Sequence, residues 1–223
     1  DIASISRSVP VVMLANSRFG GELDFVGADN RGGCKEITEH LLAVHRYTNL
    51  IFLGGPAESP DSQERFAGFR DAMRAAGRQA PRAPAATGGF TEAGGKQAVE
   101  ALLAKGKRPQ AIVCGNDEMA IGALSALRAA HLRVPADVGV TGFDDIAASR
   151  HVRPDLTTVR QPMRELGERS VQLLLDRIAR PSVPQQSVLL ATQLVVRSSC
   201  GCRYRTTKPN QKATAGRKPR SRA

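Results

Sequence analysis

The chain has 223 residues, of which 41% are hydrophobic, so it is long enough to build one large domain or two small ones around a core. Its formal net charge is +11, but residues 203–223 contain eight basic residues and no acidic residue. The rest of the chain is therefore close to neutral, which argues against a globally basic protein that coats nucleic acid.

Short apolar runs alternate with longer amphipathic stretches along most of the chain, a pattern typical of parallel α/β architecture. The apolar runs predict strands at residues 9–14, 25–28, 50–53, 111–114, 138–141, 157–160, 187–190 and 194–197. The amphipathic stretches predict helices at residues 31–44, 62–76, 92–105, 118–130 and 163–179. Ser59, Thr91 and Asn116 lie where helices should begin, and Gly77 and Gly106 lie where two helices should end.

The apolar pattern stops near the C-terminus. The composition of the last residues is rich in Lys, Arg, Thr and Pro and cannot bury enough surface to offset the entropy of ordering. We therefore predict a disordered basic tail over residues 202–223.

Polar side chains follow several of the predicted strands, at the ends where loops of a parallel sheet converge. In chain order they are Asp61, Arg65, Asn116, Asp144 and Gln161. Guanidinium, amide and carboxylate groups together suit vicinal hydroxyls, and Phe90 offers a ring for the C–H face of a sugar. Any one of these residues could equally be a helix cap or a surface residue. Their recurrence across several loops favours a binding site.

The sequence offers little that indicates catalysis or a metal. It lacks the G-x-S-x-G, H-E-x-x-H and Walker motifs, so we predict that the chain is not an enzyme. No set of its Cys and His residues has the spacing of a structural zinc site. Cys200-Gly201-Cys202 could bind a metal or become oxidised, but two lone thiols beside a tail are more often incidental. We expect no metal and no cofactor.

The sequence also bears on location. It contains no apolar run of about 18 residues that could span a bilayer, and its N-terminus lacks the pattern of a signal peptide. Few and scattered cysteines favour a reducing compartment. We therefore expect a cytoplasmic protein with no membrane partner. The first residue is Asp1 rather than Met, so we expect an upstream piece.

Longer segments are more specific than these single positions. In chain order they are Asp29-Asn30-Arg31-Gly32-Gly33, Ile51-Phe52-Leu53-Gly54-Gly55-Pro56, Glu64-Arg65-Phe66-Ala67-Gly68-Phe69, Asn116-Asp117-Glu118-Met119-Ala120, Leu132-Arg133-Val134-Pro135-Ala136-Asp137-Val138, Gly142-Phe143-Asp144-Asp145 and Leu156-Thr157-Thr158-Val159-Arg160-Gln161-Pro162. Over roughly residues 9–201, the chain resembles the effector-binding core of LacI/GalR-family transcriptional repressors.

The resemblance implies an α/β, periplasmic binding protein-like fold. Two doubly wound parallel-sheet lobes would be joined by three crossovers, with a ligand cleft between them. We expect a first lobe of residues 1–45 and 158–180 and a second lobe of residues 46–157 and 185–201. Family members begin with a helix-turn-helix headpiece and the opening strands of the first lobe, so we expect the first lobe to be incomplete and operator DNA to be bound only through a headpiece missing here.

The resemblance also implies individual roles. Arg65, Asn116 and Asp144 would hydrogen-bond the effector, Phe90 would stack on it, and Gln161 would lie beside the cleft, with Asp61 a further candidate. The chain would be the ligand-sensing and dimerisation domain of a homodimeric repressor, with a sugar or a related polyol or nucleobase as effector. The alternative is a sugar-binding protein of a transport system, which shares the fold but requires export.

Overall fold

The computed structural model describes residues 2–14 and 23–202. The predicted tail, residues 202–223, therefore lies outside the described residues except for Cys202. The helices are α1 (Ile2–Ile5), α2 (Asn30–Ala43), α3 (Pro60–Ala75), α4 (Glu92–Ala104), α5 (Asp117–Ala129) and α6 (Met163–Ala179), with a short 3-10 helix at Ala147–Arg150. The strands are β1 (Val12–Leu14), β2 (Asp24–Ala28), β3 (Leu50–Gly54), β4 (Ala86–Thr87), β5 (Ala111–Cys114), β6 (Gly139–Thr141), β7 (Thr158–Arg160), β8 (Ser187–Leu190) and β9 (Gln193–Val195).

Four parallel strands form a sheet in the order β4-β3-β5-β6, which we call the second sheet. β3 and β5 pair from Leu50↔Ala111 to Leu53↔Cys114, and every residue of β5 is buried. Burial on both faces explains why β5 is a continuous apolar run rather than an alternating one. Two clusters of buried side chains fill its faces, one with α2 and α3 and the other with α4 and α5.

The antiparallel pair β7 and β9 extends the second sheet beyond β6. The two strands pair from Thr158↔Val195 to Arg160↔Gln193. A parallel bridge between Thr141 and Thr157 brings the start of β7 beside the end of β6.

Three parallel strands form the first sheet, in the order β1-β2-β8. α6 packs on it, and its Leu166 and Leu173 share a buried cluster with Val26 and Ala28 of β2. An ion pair supports the same contact, because Nε of Arg177 on α6 lies 2.8 Å from a carboxylate oxygen of the buried Asp24. β1 begins at Val12 rather than at the predicted residue 9, and the intervening Pro10 has no N–H to donate to a sheet.

The chain passes between the two sheets three times, after β2, after β7 and after β8. This architecture confirms the predicted α/β fold of two parallel sheets with three crossovers. The predicted boundaries are wrong at three elements. β7 falls in the predicted first lobe, but it pairs with β9 and lies beside β6 of the second sheet. α2 falls in the predicted first lobe, but its Cys34, Ile37 and Leu41 lie in the core of the second sheet. β8 falls in the predicted second lobe, but it pairs with β2 from Phe25↔Ser187 to Ala28↔Leu190.

The predicted helix ends are present. Ser59, Thr91 and Asn116 each accept a hydrogen bond from a backbone N–H in the first turn of α3, α4 and α5. Gly77 and Gly106 have φ of 67° and 73°, the left-handed conformation that ends helices. β4 was not predicted, since two residues are too few to show a pattern. Within the described ranges, no helix combines the length and hydropathy of a membrane span.

An apolar stripe is exposed on α6. Val171, Leu175 and Ile178 are 55–59% exposed and lie at i, i+4 and i+7, so they share one face of the helix. We expect this chain to self-associate as its concentration rises, because such a stripe favours burial against another surface. Sedimentation velocity of the wild type and of Leu175→Lys measures this, and the variant should shift to smaller species.

The control variant introduces the same positive charge on α6 but outside the apolar stripe. Gln172 is exposed on α6 and bonds Asp176, so Gln172→Lys should sediment like the wild type. A wild-type sedimentation coefficient independent of concentration contradicts the prediction.

Candidate functional site

Arg65 is the centre of the candidate site. Its side chain rises from the second turn of α3 and the residue is only 3% exposed. Nε donates to Oδ1 of Asn30 at 2.8 Å, and Nη1 donates to the carbonyl oxygen of Gly115 at 2.7 Å. The guanidinium carbon lies 3.9 Å from the centre of the Phe143 ring. Hydrogen bonds and ring contact together fix the guanidinium in one orientation.

Two carboxylates flank this guanidinium. An oxygen of Asp61, one turn earlier on α3, lies 3.7 Å from Nη2, and an oxygen of Asp144 lies 3.4 Å from Nη1. Nδ2 of Asn30 donates to the other Asp61 oxygen at 3.0 Å. Burial raises the pKa of the Asp144 carboxyl above its usual value, and Arg65 and Gln161 oppose that rise. The site thus holds one buried cation between two carboxylates.

The position of Asp144 is set by its backbone. The residue follows β6 with φ of 117°, a conformation that costs energy for a residue with a side chain. Its N–H donates to the carbonyl of Val159 at 2.7 Å, which ties it to β7. Nε2 of Gln161 donates to Oδ1 of Asp144 at 2.6 Å. The side chain remains 27% exposed, so its carboxylate is accessible from solvent.

Phe90 and Asn116 form the opposite part of the site. Phe90 has φ of 62°, and its ring centre lies 5.6 Å from the Arg65 guanidinium carbon. Nδ2 of Asn116 donates to the Phe90 carbonyl at 3.1 Å, while Oδ1 accepts from N–H of Met119 and caps α5. A Cβ at Gly55 would collide with the Phe90 ring, so this glycine permits the ring to lie where it does.

All six residues that the sequence singled out therefore lie in one connected network. Arg65 contacts Asp61, Asp144 and Phe90 directly. Asn116 joins through the Phe90 carbonyl, and Gln161 joins through Asp144. Asn116 is both a helix cap and a part of the site, because its side chain caps α5 and also donates to the Phe90 carbonyl. Fixed donors, fixed acceptors and an apolar ring can together bind a small molecule that carries several hydroxyl groups.

Sequence reasoning missed Asn30 as a site residue. This first residue of α2 bonds both Arg65 and Asp61, at the point where the chain leaves the first sheet. Its position just after β2 was the available signal, because Asn116, Asp144 and Gln161 also lie within three residues of the end of a strand.

A second group of charged side chains surrounds Asp145, the residue that follows Asp144 in the chain. The Asp145 side chain is 1% exposed and contacts three arginines, with distances of 2.5 Å to Arg197, 2.7 Å to Arg160 and 3.4 Å to Arg150. Burial raises the pKa of Asp145, but the hydrogen bonds from Arg197 and Arg160 outweigh it and hold the pKa below its usual value. Asp145 is thus an internal anchor, neutralised by arginines.

Asp117 is the second anchor. This fully buried residue of α5 accepts hydrogen bonds from N–H of Ile146 at 3.0 Å, Oγ of Ser149 at 2.6 Å and Oγ1 of Thr158 at 2.5 Å. Burial raises the pKa of its carboxyl to about 6, although the three hydrogen bonds oppose the rise. Asp117 therefore connects α5 to the loop after β6 and to β7.

A separate cluster of possible metal ligands lies at the C-terminal end of α2. Nε2 of His40 lies 3.6 Å from Sγ of Cys200 and 3.5 Å from Sγ of Cys202. Nε2 of His45 lies 3.4 Å from Sγ of Cys202. Burial lowers the pKa of both imidazoles below the usual value, and the nearby His45 lowers that of His40 further. Zinc spacing rules missed the cluster because its two halves lie far apart in sequence.

The chain is similar in sequence to known regulators. A sequence profile described as a periplasmic binding protein-like domain matches residues 38–200. The ribose operon repressor of Escherichia coli (strain K12) is 37% identical over 192 residues, which cover 86% of this chain and 58% of that protein. The chain thus spans well under two thirds of the length of this curated relative.

Solved structures share the fold. The structure titled as a transcriptional regulator CelR-cellobiose complex superposes with a TM-score of 0.80 at 32% identity, covering 86% of this chain and 59% of that one. A LacI family transcriptional regulator from Enterococcus faecium with bound ribose gives a TM-score of 0.78 at 27% identity, with coverage of 89% and 75%.

Proposed function

Because the chain belongs to the periplasmic binding protein-like domain family, in the form that LacI-family transcriptional regulators contain, we propose that it is the effector-binding and dimerisation part of a repressor. The proposed effector is a small polyhydroxylated molecule, a sugar, bound at the site around Arg65. Binding is its proposed task, with no catalytic step. The relatives that resemble this chain are transcriptional regulators, which supports this function over that of a transport protein.

The arrangement around Arg65 carries the proposal. One buried guanidinium, held at 2.8 Å by Asn30, faces the accessible carboxylate of Asp144. A carboxylate accepts hydrogen bonds from two neighbouring hydroxyls, and the exposed side of the Phe90 ring gives a sugar an apolar face to lie on. The proteins solved with cellobiose and with ribose share this fold, which supports the same ligand class here.

The location of the site provides a route to regulation. Asn30 lies where the chain leaves the first sheet, and Gln161 lies where it returns from β7 to α6. An effector that contacts both would favour one relative placement of the two sheets, which is how binding at one site can alter a distant one. We propose that this placement governs operator binding in the bacterial cytoplasm by a homodimer, through a helix-turn-helix headpiece.

Calorimetry with Asp144→Asn tests the site. The panel is ribose, cellobiose, related pentoses and hexoses, and purine bases, screened first by thermal shift on the wild type. The amide replaces the anionic acceptor without changing its shape, and a hydrogen bond to a charged group contributes about 2 kcal/mol, so affinity should fall roughly thirtyfold.

The control is Asp137→Asn, because Asp137 is an exposed carboxylate paired with Arg133 at 3.0 Å, away from the site. It should bind like the wild type. Unchanged affinity in Asp144→Asn removes that residue from the site, and a wild type that binds no member of the panel argues against the proposed ligand class.

A further inference from the structure

The cluster at the end of α2 has no part in the proposed effector site. We propose that His40, His45, Cys200 and Cys202 form a structural zinc site. Their four ligand atoms, one from each residue, all lie within 4.8 Å of one another. Two imidazole nitrogens and two thiol sulfurs are a complete set of four ligands for Zn²⁺, which leaves no open position for substrate.

The distances fit a tetrahedron. With Zn–S of about 2.3 Å and Zn–N of about 2.0–2.1 Å, tetrahedral angles put nitrogen and sulfur ligands about 3.5 Å apart. Three of the four nitrogen to sulfur distances in the cluster are 3.4, 3.5 and 3.6 Å. Three of the six edges of the tetrahedron therefore already have the length that a bound ion requires, and all four ligand atoms lie within 4.8 Å of one another.

Local sequence explains how the ligands meet. His40 is in the last turn of α2 and His45 is just past its end, so both rings reach the same side. Gly201 separates the two cysteines with φ of 111°, and a Cβ there would lie 3.1 Å from the His45 ring. This glycine lets the C-terminal segment bring both sulfurs onto the imidazoles.

Neighbouring side chains hold two of the ligands in place. Oγ1 of Thr157 lies 3.2 Å from Sγ of Cys200 and itself accepts from N–H of Arg197 at 2.8 Å, so its own proton is directed to the sulfur. The Tyr47 ring stacks on His45 at 5.3 Å, and its hydroxyl donates to the Cys200 carbonyl at 3.2 Å. These contacts orient two of the four ligands from outside the cluster.

The ligand set favours zinc over the alkaline-earth ions. Thiolate and imidazole are poor ligands for Mg²⁺ and Ca²⁺, which prefer oxygen, whereas four-coordinate sulfur and nitrogen sites suit Zn²⁺. A bound ion would join α2 to the segment after β9, two parts of the chain that are about 160 residues apart in sequence. Such a crosslink stabilises the folded state by constraining the unfolded chain.

The test is metal uptake by the full chain, purified with reductant, loaded with Zn²⁺ and dialysed. Mass spectrometry of the metal content should find one zinc per chain. Loading with Co²⁺ instead should give the visible absorption of tetrahedral, thiolate-bound cobalt. In a chelator competition, His45→Gln and Cys202→Ser should each lose at least about a hundredfold in zinc affinity, since they remove ligands and not merely their supports.

His151→Gln is the matched control, because His151 is exposed and outside the cluster, and it should keep the ion. Circular dichroism without metal separates lost ligands from lost folding, since the variants should match the apo wild type. The proposal is overturned if the wild type takes up no zinc, or if both ligand variants bind it as the wild type does.

Discussion

Replacing Arg65 with methionine is expected to destabilise the protein by about 3 kcal/mol and to abolish binding of the proposed effector. Methionine keeps the length and apolar stem but removes the charge. The carboxylates of Asp61 and Asp144 then face each other across the site without the cation between them, and loss of one partner from a buried pair is costly. The carbonyl of Gly115 and Oδ1 of Asn30 also lose a donor.

Urea unfolding and calorimetry measure the two effects separately. The control is Arg74→Met on the same helix, where the side chain is 53% exposed and pairs with Asp71 at 3.2 Å. An exposed pair contributes little, so this variant should change stability by less than about 0.5 kcal/mol and leave binding intact. Equal stability of the two variants would show that the guanidinium is not what holds the two carboxylates in place.

The second large effect concerns Asp117. Asp117→Ala should cost about 3 kcal/mol at neutral pH, because N–H of Ile146 and the hydroxyls of Ser149 and Thr158 all lose their acceptor inside the protein. Asp117→Asn should be far milder. Its carbonyl can accept from Ile146 and Ser149 while its amide donates to the hydroxyl of Thr158, which rotates to accept.

The asparagine variant also isolates a pH effect. Burial raises the pKa of the folded-state carboxyl to about 6 from its ordinary value of 3.8, so the folded protein holds this proton more tightly than the unfolded chain. Asp117 therefore contributes most stability below pH 4, and the contribution falls as the pH rises to about 6. The wild type should lose about 3 kcal/mol from this group over that range, relative to Asp117→Asn.

Urea unfolding of both proteins at intervals from pH 4 to pH 7 measures that difference. Glu165→Gln, an exposed change on α6, is the control and should follow the wild type at each pH. A constant difference between the wild type and Asp117→Asn would mean that the carboxyl is charged in the fold throughout the range.

Much of the architecture was predictable because it depends on local patterns. The buried run of β5 and the cap at Asn116 both follow from residues adjacent in sequence. The gathering of Arg65, Asn116 and Asp144 was predictable from a general rule, since the carboxyl ends of parallel strands meet at one edge of a sheet.

The errors share a different cause. Which sheet α2 packs on depends on where the chain turns after Asn30, and no pattern in the helix itself records that choice. The pairing of β8 with β2 joins residues more than 150 positions apart. The same separation concealed the cluster of His40 and Cys200, whose spacing matches no short motif.

The pairing of β2 with β8 has a consequence for the order of folding. The strands and helices of the second sheet, from α2 to β6, are continuous in sequence, so each can pack on neighbours made shortly before it. β2 precedes all of them but receives β8 only once Ser187–Leu190 has been synthesised. Closing so long a loop carries an entropic cost that local contacts do not. On the ribosome, therefore, the second sheet can form before β2 pairs with β8, and the crossovers are completed last.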